Sequence, residues 1–195
     1  MEKLKRIDYT AKILPLVVEP DPRLHQVSAS VEIVTPEIQK LMEDMLYSMY
    51  HYHGIGLTAV QVGVMRKVIV IDVDQATTHR HKCDDSSCDM HIPLHGNQPL
   101  FMINAEITWA SKEKQKYCEG CLSLPGIDSE VERPSVVKVK YLDYWGQERE
   151  EEFGHNLLSV CVQHEIDHSN GIVFIDHLSR LKRDVLRKKM LKAKR

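Results

Sequence analysis

The chain of 195 residues has no excess of either charge: 26 Lys and Arg stand against 28 Asp and Glu, a formal net charge of −2. A balance of this kind gives no reason to expect DNA or RNA bound across the whole surface. Long hydrophobic runs are also missing. No stretch approaches the roughly 20 apolar residues that span a bilayer, so no membrane partner is expected. The N-terminal Met1-Glu2-Lys3-Leu4-Lys5-Arg6 is charged, and the apolar segment of a secretory signal does not follow it. The five cysteines (83, 88, 118, 121 and 161) are an odd count, ill-suited to a disulfide framework; free thiols in a reducing cytoplasm are the simplest reading. A zinc ribbon needs two CxxC pairs, and the chain has only Cys118-x-x-Cys121, which leaves Cys118 as a bystander. Internal repeats are lacking too. The length suits one compact domain over residues 1–195.

What is present is concentrated in His164-Glu165-Ile166-Asp167-His168, an HExxH sequence. Residues four apart share a helical face, so two imidazoles can grip one metal ion while the glutamate beside them handles the proton of a water. A solvated surface helix would also tolerate two histidines, but the flanks argue otherwise. Asn156 or Ser159 can open the helix, Leu157, Leu158, Val160, Cys161 and Val162 make it apolar almost all round, and Gly171 sits where a C-cap belongs. Such a helix is buried, and buried polar groups need partners. A metal ion satisfies all three.

The third ligand has to come from elsewhere. The metzincin continuation HExxHxxGxxH is followed as far as Gly171, but Phe174 occupies the place of the third histidine and cannot bind metal. His177 and Asp176 remain weak candidates. Cys121, in Glu119-Gly120-Cys121-Leu122-Ser123, is a better one, because a thiolate suits zinc or ferrous iron and a Cys/His/His set leaves a fourth tetrahedral position open for water.

A glycine pair, Gly54-x-Gly56-x-x-Ala59, fits a dinucleotide fingerprint in letters only, since that fingerprint must follow a strand. Here it follows a helix. Thr35 is a good N-cap, Pro36 suits the first helical position, and Ile38, Leu41, Met42, Met45, Leu46 and Met49 recur at helical spacing. The glycines are expected to end that helix at Gly54 and to let backbone approach a ligand.

Three motifs in order carry a family resemblance. Gly54-Ile55-Gly56-Leu57-Thr58-Ala59-Val60-Gln61 resembles the GxGxAAxQ motif of the peptide deformylases, Glu119-Gly120-Cys121-Leu122-Ser123 their EGCLS, and Gln163-His164-Glu165-Ile166-Asp167-His168 their QHExDH. The similarity extends from Pro20-Asp21-Pro22-Arg23-Leu24 to about Leu181. Thr58 departs from the usual alanine and adds a hydroxyl in a tight turn. The resemblance implies hydrolysis of the N-formyl group from the initiator methionine of nascent polypeptides, with release of formate. It implies a metal held by Cys121, His164 and His168, of which Fe²⁺ is the family's natural ion and Zn²⁺, Ni²⁺ or Co²⁺ substitutes. Glu165 is then the general base and acid, and the Gln61 amide with the Leu122 backbone N–H receives the oxyanion. Gly56 would bind substrate backbone, and Ile55, Leu157, Val160 and Cys161 would form the methionine pocket, though each of these four reads equally as plain core. Glu119 matches a family acid that pairs with an arginine, here Arg133, bracing the loop that carries Cys121.

The organisation is α+β. Strands are expected at 68–73, 101–107 and 136–142, without βαβ alternation, which indicates antiparallel sheets; the resemblance implies small sheets wrapped around the metal-binding HExxH helix, with a C-terminal helix. Residues 74–99 carry His79, His81, Cys83, Cys88, His91 and His95 and read as a mobile insertion, longer than the family's usual link. A second metal site there is the rival reading, although Cys83 and Cys88 are poorly spaced for a recognised finger. Residues 179–195 form a basic helix with Ser179 as cap and Leu178, Leu181 and Val185 on one face. The resemblance implies that such a helix docks on the ribosome, and a basic face is compatible with RNA. Two other functions remain open: an HExxH metallopeptidase using a downstream ligand, and a non-catalytic deformylase-like binding protein.

Overall fold

The computed structural model describes residues 11–73 and 99–193. The 74–99 insertion, with Cys83 and Cys88, falls outside the described residues except for residue 99.

Helix α1 spans Pro36–His51, opened by extended Thr35 and Pro36 as its residues dictate. Its C-terminus differs from expectation. The helix stops at His51, and His53, not Gly54, takes the left-handed conformation at φ 57°. The His53 N–H reaches Tyr50 O (3.0 Å) and the Gly54 N–H reaches Met49 O (2.8 Å), the paired bonds of a Schellman motif. Gly54 serves packing instead: a Cβ there would lie 2.8 Å from Leu122 Cδ1.

Among the described residues seven strands follow: β1 Gly56–Thr58, β2 Val68–Ile71, β3 Leu100–Ala110, β4 Lys114–Gly120, β5 Asp128–Pro134, β6 Val136–Leu142 and β7 Glu148–Gly154. All pairings between them are antiparallel, in a five-stranded sheet of order β1-β2-β3-β6-β7 and a separate β4-β5 hairpin. With helices α2 Leu157–Ser169 and α3 Arg180–Ala193, the architecture is α+β.

Strand β2 shows why the sheet lies between two layers. All four of its residues are buried. Alternate side chains face opposite ways, so Val68 and Val70 join Met42, Met45, Leu46 and Met49 of α1, while Ile69 and Ile71 join Val162 and Ile166 of α2. A third apolar cluster, including Leu124, Ile127, Val131, Phe174 and Met190, ties the hairpin to the C-terminal segments.

The packed face of α3 also differs from expectation. Leu181 and Val185 are exposed, whereas Leu186 and Met190, four apart, pack inward with Leu178. The Lys182 N–H does reach Ser179 Oγ (3.4 Å), as a capping serine requires. Among the described residues no helix is long and apolar enough to cross a membrane.

Candidate active site and metal centre

Helix α2 is capped at both ends by the residues its sequence singles out. Asn156 Oδ1 accepts the Ser159 N–H at 2.9 Å. Gly171 takes φ +74° just beyond the C-cap Asn170, with bonds from the Gly171 N–H to His168 O and from the Ile172 N–H to Asp167 O. Every residue from Ser159 to Ile166 is buried, so the histidines and Glu165 are carried into the interior. His164 is 8% exposed, Glu165 3% and His168 0%.

The turn after β4 delivers Cys121 to this helix. The ligand-capable atoms of Cys121, His164 and His168 all lie within 4.8 Å of one another, and Cys121 Sγ is 3.2 Å from His168 Nε2. His177 and Asp176, the weaker candidates for the third ligand, are engaged elsewhere: His177 Nε2 meets Asp167 Oδ2 (2.7 Å), and Asp176 faces Arg183 and Arg187. Two imidazoles and one thiol, converging from a helix and a turn, form a donor set that suits zinc or ferrous iron. Burial pushes His168 well below its ordinary range, which keeps its imidazole neutral, the form that ligates.

Glu119 and Arg133 form the layer beneath. Glu119 Oε2 is 2.8 Å from His164 Nδ1, which leaves the other ring nitrogen for a metal. Arg133 donates to both Glu119 oxygens (2.6 and 3.0 Å) and to Asp167 Oδ2 (2.7 Å), so one guanidinium joins the cysteine loop to the helix. Burial pushes the Glu119 carboxyl up, but the hydrogen bonds from His164 and Arg133 outweigh it and bring it down to about 2. At Glu165 burial prevails over the opposing influence of His164 and Thr58, and its carboxyl is raised. That direction suits a group that must take up and return a proton near neutrality.

A cleft of about 600 Å³ opens onto these groups. Its wall includes Ile55, Gly56, Leu157, Val160 and Cys161, all five residues expected to hold substrate, together with Gln61, Cys121, Leu122, His164 and Glu165. His168 and Arg133 are buried and reach the lining through Cys121 and Glu119. Gln61 is held from both ends of its amide: Oε1 accepts the Thr58 N–H at 2.7 Å, and Nε2 is 3.3 Å from Ser123 Oγ and 3.5 Å from Cys121 Sγ. Cys118 is exposed on β4 at the mouth of the cleft, its Sγ 3.7 Å from Asp128 Oδ2.

Two participants escape sequence reasoning. Asp167 lies inside the HExxH motif, yet its role as the second anchor of Arg133 depends on a strand distant in sequence. Thr58 donates its hydroxyl to Glu165 Oε2 at 2.7 Å and also lies 3.0 Å from Glu165 O. Its departure from alanine was the one available signal.

An antiparallel α+β scaffold in which half-buried Cys121, on a turn, meets the two buried histidines of an HExxH helix beside a cleft is the arrangement of a class of proteins suited to metal-assisted hydrolysis. The family model for polypeptide deformylase matches residues 13–184, and the chain belongs to that family. A peptide deformylase of Phenylobacterium zucineum is 45% identical over 180 residues, covering 92% of this chain and 96% of that protein. One of Rhizobium meliloti is 42% identical over 181 residues, covering 93% and 94%. The crystal structure of peptide deformylase from Ehrlichia chaffeensis in complex with actinonin superposes with a TM-score of 0.79 at 39% identity, covering 94% of this chain and 99% of that one.

Proposed function

We infer that this protein hydrolyses the N-formyl group from the formyl-methionine of newly synthesised polypeptides and releases formate. The reading is carried by one observation: in a chain of the polypeptide deformylase family, Cys121, His164, Glu165 and Gln61 line a single cleft, with His168 Nε2 3.2 Å from Cys121 Sγ. Residues 1–195 act as one catalytic domain.

Cys121, His164 and His168 would hold the metal ion; the donor set suits zinc and ferrous iron alike, and the deformylase resemblance favours Fe²⁺, with Zn²⁺, Ni²⁺ or Co²⁺ able to substitute. When bound, the ion polarises the formyl oxygen and acidifies a water. The chain's own groups do the rest. Glu165 accepts the proton of the attacking water and delivers it to the departing amine, a transfer that its raised carboxyl favours. The Gln61 Nε2–H and the Leu122 N–H donate to the oxyanion of the tetrahedral intermediate; Gln61 is pre-oriented by its bond from Thr58, so little reorganisation is needed at the moment of reaction. Gly56 pairs with the substrate backbone, and Ile55, Leu157, Val160 and Cys161 receive the methionine side chain. Glu119 and Arg133 keep the His164 ring and the Cys121 loop in place.

Because the substrate is a nascent chain, the site of action is the cytoplasm. The basic face of α3 docks on the ribosome, where its lysines and arginines meet RNA phosphates.

The deciding experiment is formate release from a formyl-Met tripeptide by anaerobically prepared, iron-loaded protein, with an unformylated peptide as control. Release that Glu165→Gln abolishes is the expected result. No release from protein containing one metal ion per chain would overturn the reading.

A further inference from the structure

The Glu165 carboxylate is held from two sides by one short strand. In β1, Gly56 and Thr58 are two residues apart and therefore point to the same face. On one side, the space that a Cβ at Gly56 would take is filled by Glu165 Oε1 and Cys161 Sγ, so that oxygen rests against bare backbone. On the other, the Thr58 hydroxyl lies 2.7 Å from Glu165 Oε2. The same hydroxyl is 3.0 Å from the main-chain oxygen of Glu165, which places it between a side chain and that side chain's own backbone. Swinging the carboxylate away would break the shorter of these contacts and leave the hydroxyl, itself 0% exposed, without that partner. An alanine, the residue usual at this place in the resemblance noted above, has no hydroxyl and leaves the carboxylate seated only against the glycine.

We propose that Thr58 is a positioning residue for Glu165: its hydroxyl locks the carboxylate in the orientation that receives and returns the proton. The inference rests on the deformylase reading. A group that orients the proton carrier without touching substrate acts on kcat and leaves KM alone. The backbone of the same residue orients Gln61 through the Thr58 N–H, so β1 sets both the proton carrier and the oxyanion donor; side-chain replacements at Thr58 test the first without removing the second.

The test uses full-length, iron-loaded Thr58→Val, Thr58→Ala and Thr58→Ser proteins. Val preserves the shape and Ser preserves the hydroxyl. Loss of a hydrogen bond to a charged group predicts a kcat about tenfold lower for Val and Ala, with KM and metal content within about twofold of wild type and Ser close to wild type. If Val fails to fold, Ala, which only removes atoms, decides. A readout independent of turnover comes from the metal-free protein: the Tm loss caused by Thr58→Val should shrink by about half or more in a Glu165→Ala background, as coupled partners require. Wild-type kcat in Val and Ala, equal loss in Ser and Val, or strictly additive Tm shifts would each overturn the proposal in an active enzyme. Absence of formate release from the wild type would instead sink the deformylase reading, and the kinetic role of Thr58 with it.

Discussion

Arg133 holds both carboxylate oxygens of Glu119, Nε to Oε1 at 2.6 Å and Nη2 to Oε2 at 3.0 Å, with both residues almost fully buried. The third arm of the guanidinium reaches Asp167 at 2.7 Å. The pair therefore spans the two segments that supply the Cys/His/His cluster. Taking charges out of water costs several kcal/mol per ion, and their attraction with well-placed hydrogen bonds repays much of it. The arrangement is better understood as register for the site than as a source of net stability.

Removing one partner should be far worse than removing both. Arg133→Met leaves Glu119 buried without its counter-ion and is expected to destabilise the protein by about 3–5 kcal/mol, measured by urea unfolding of the metal-free form. The double variant Glu119→Gln/Arg133→Met should recover a substantial part of that loss. Equal losses in single and double variants would contradict the coupling. Glu119→Gln alone is expected to weaken metal affinity by roughly 10–100-fold, because His164 loses the acceptor that orients its ring.

Acid should act through the same carboxylate. The ordinary Glu119 value of 4.5 is depressed to about 2 in the folded protein by His164 and Arg133 against the effect of burial. The unfolded chain thus takes up a proton at a higher pH than the folded one. The stabilisation is complete above the ordinary value and drains away as pH falls from about 4.5 toward 2. It amounts to something on the order of 3 kcal/mol. Urea midpoints of metal-free protein across this window should fall steeply, and Glu119→Gln should flatten that dependence. A slope unchanged by the substitution would assign the acid sensitivity to other groups.

Cys121→Ser separates the two enzyme readings. A hydroxyl is a poor substitute for a thiolate, so metal stoichiometry after dialysis and formate release should both collapse. An HExxH peptidase that used a downstream ligand would keep its metal in this variant. His177→Ala, which removes only a partner of Asp167, should leave stoichiometry near one.

Gly171 is predicted to be intolerant of any side chain. It sits at φ +74°, and a Cβ there would lie 2.8 Å from both the carbonyl carbon and the oxygen of His25. Conformational strain of about 1–2 kcal/mol adds to a collision with backbone that cannot rotate away. Gly171→Ala should therefore lower stability by at least about 2 kcal/mol in thermal unfolding. Gly126, at φ +72° but with nothing within 4 Å of its would-be Cβ, is the control and should lose only the strain.

Short-range chemistry was legible in the residues alone. The HExxH helix could be read with its caps because Asn156 and Gly171 act on backbone groups within a few positions of themselves. Strand β6 was legible to the residue because its apolar and charged residues alternate, whereas β2 ends at Ile71, short of the expected 73, and β3 runs from Leu100 to Ala110, beyond the expected 101–107. The three-residue β1 and the strands β4, β5 and β7 were not, since Lys114 to Gly120 and Glu148 to Glu152 are largely charged or exposed and gain their strand character from cross-strand partners. At the end of α1 local propensity pointed to Gly54, but contact with Leu122 decided the glycine's place and left His53 to adopt the left-handed turn. The candidate site divides in the same way. Two imidazoles and a carboxylate at fixed helical spacing are properties of the sequence. The convergence of Cys121 on His168, the bridge of Arg133 to Glu119 and Asp167, and the bond from Thr58 to Glu165 across 107 positions exist only once the sheet, the hairpin and the helix have packed. Helical pitch is a property of neighbours along the chain, whereas these contacts depend on which buried surfaces meet, and that is settled by the fold as a whole.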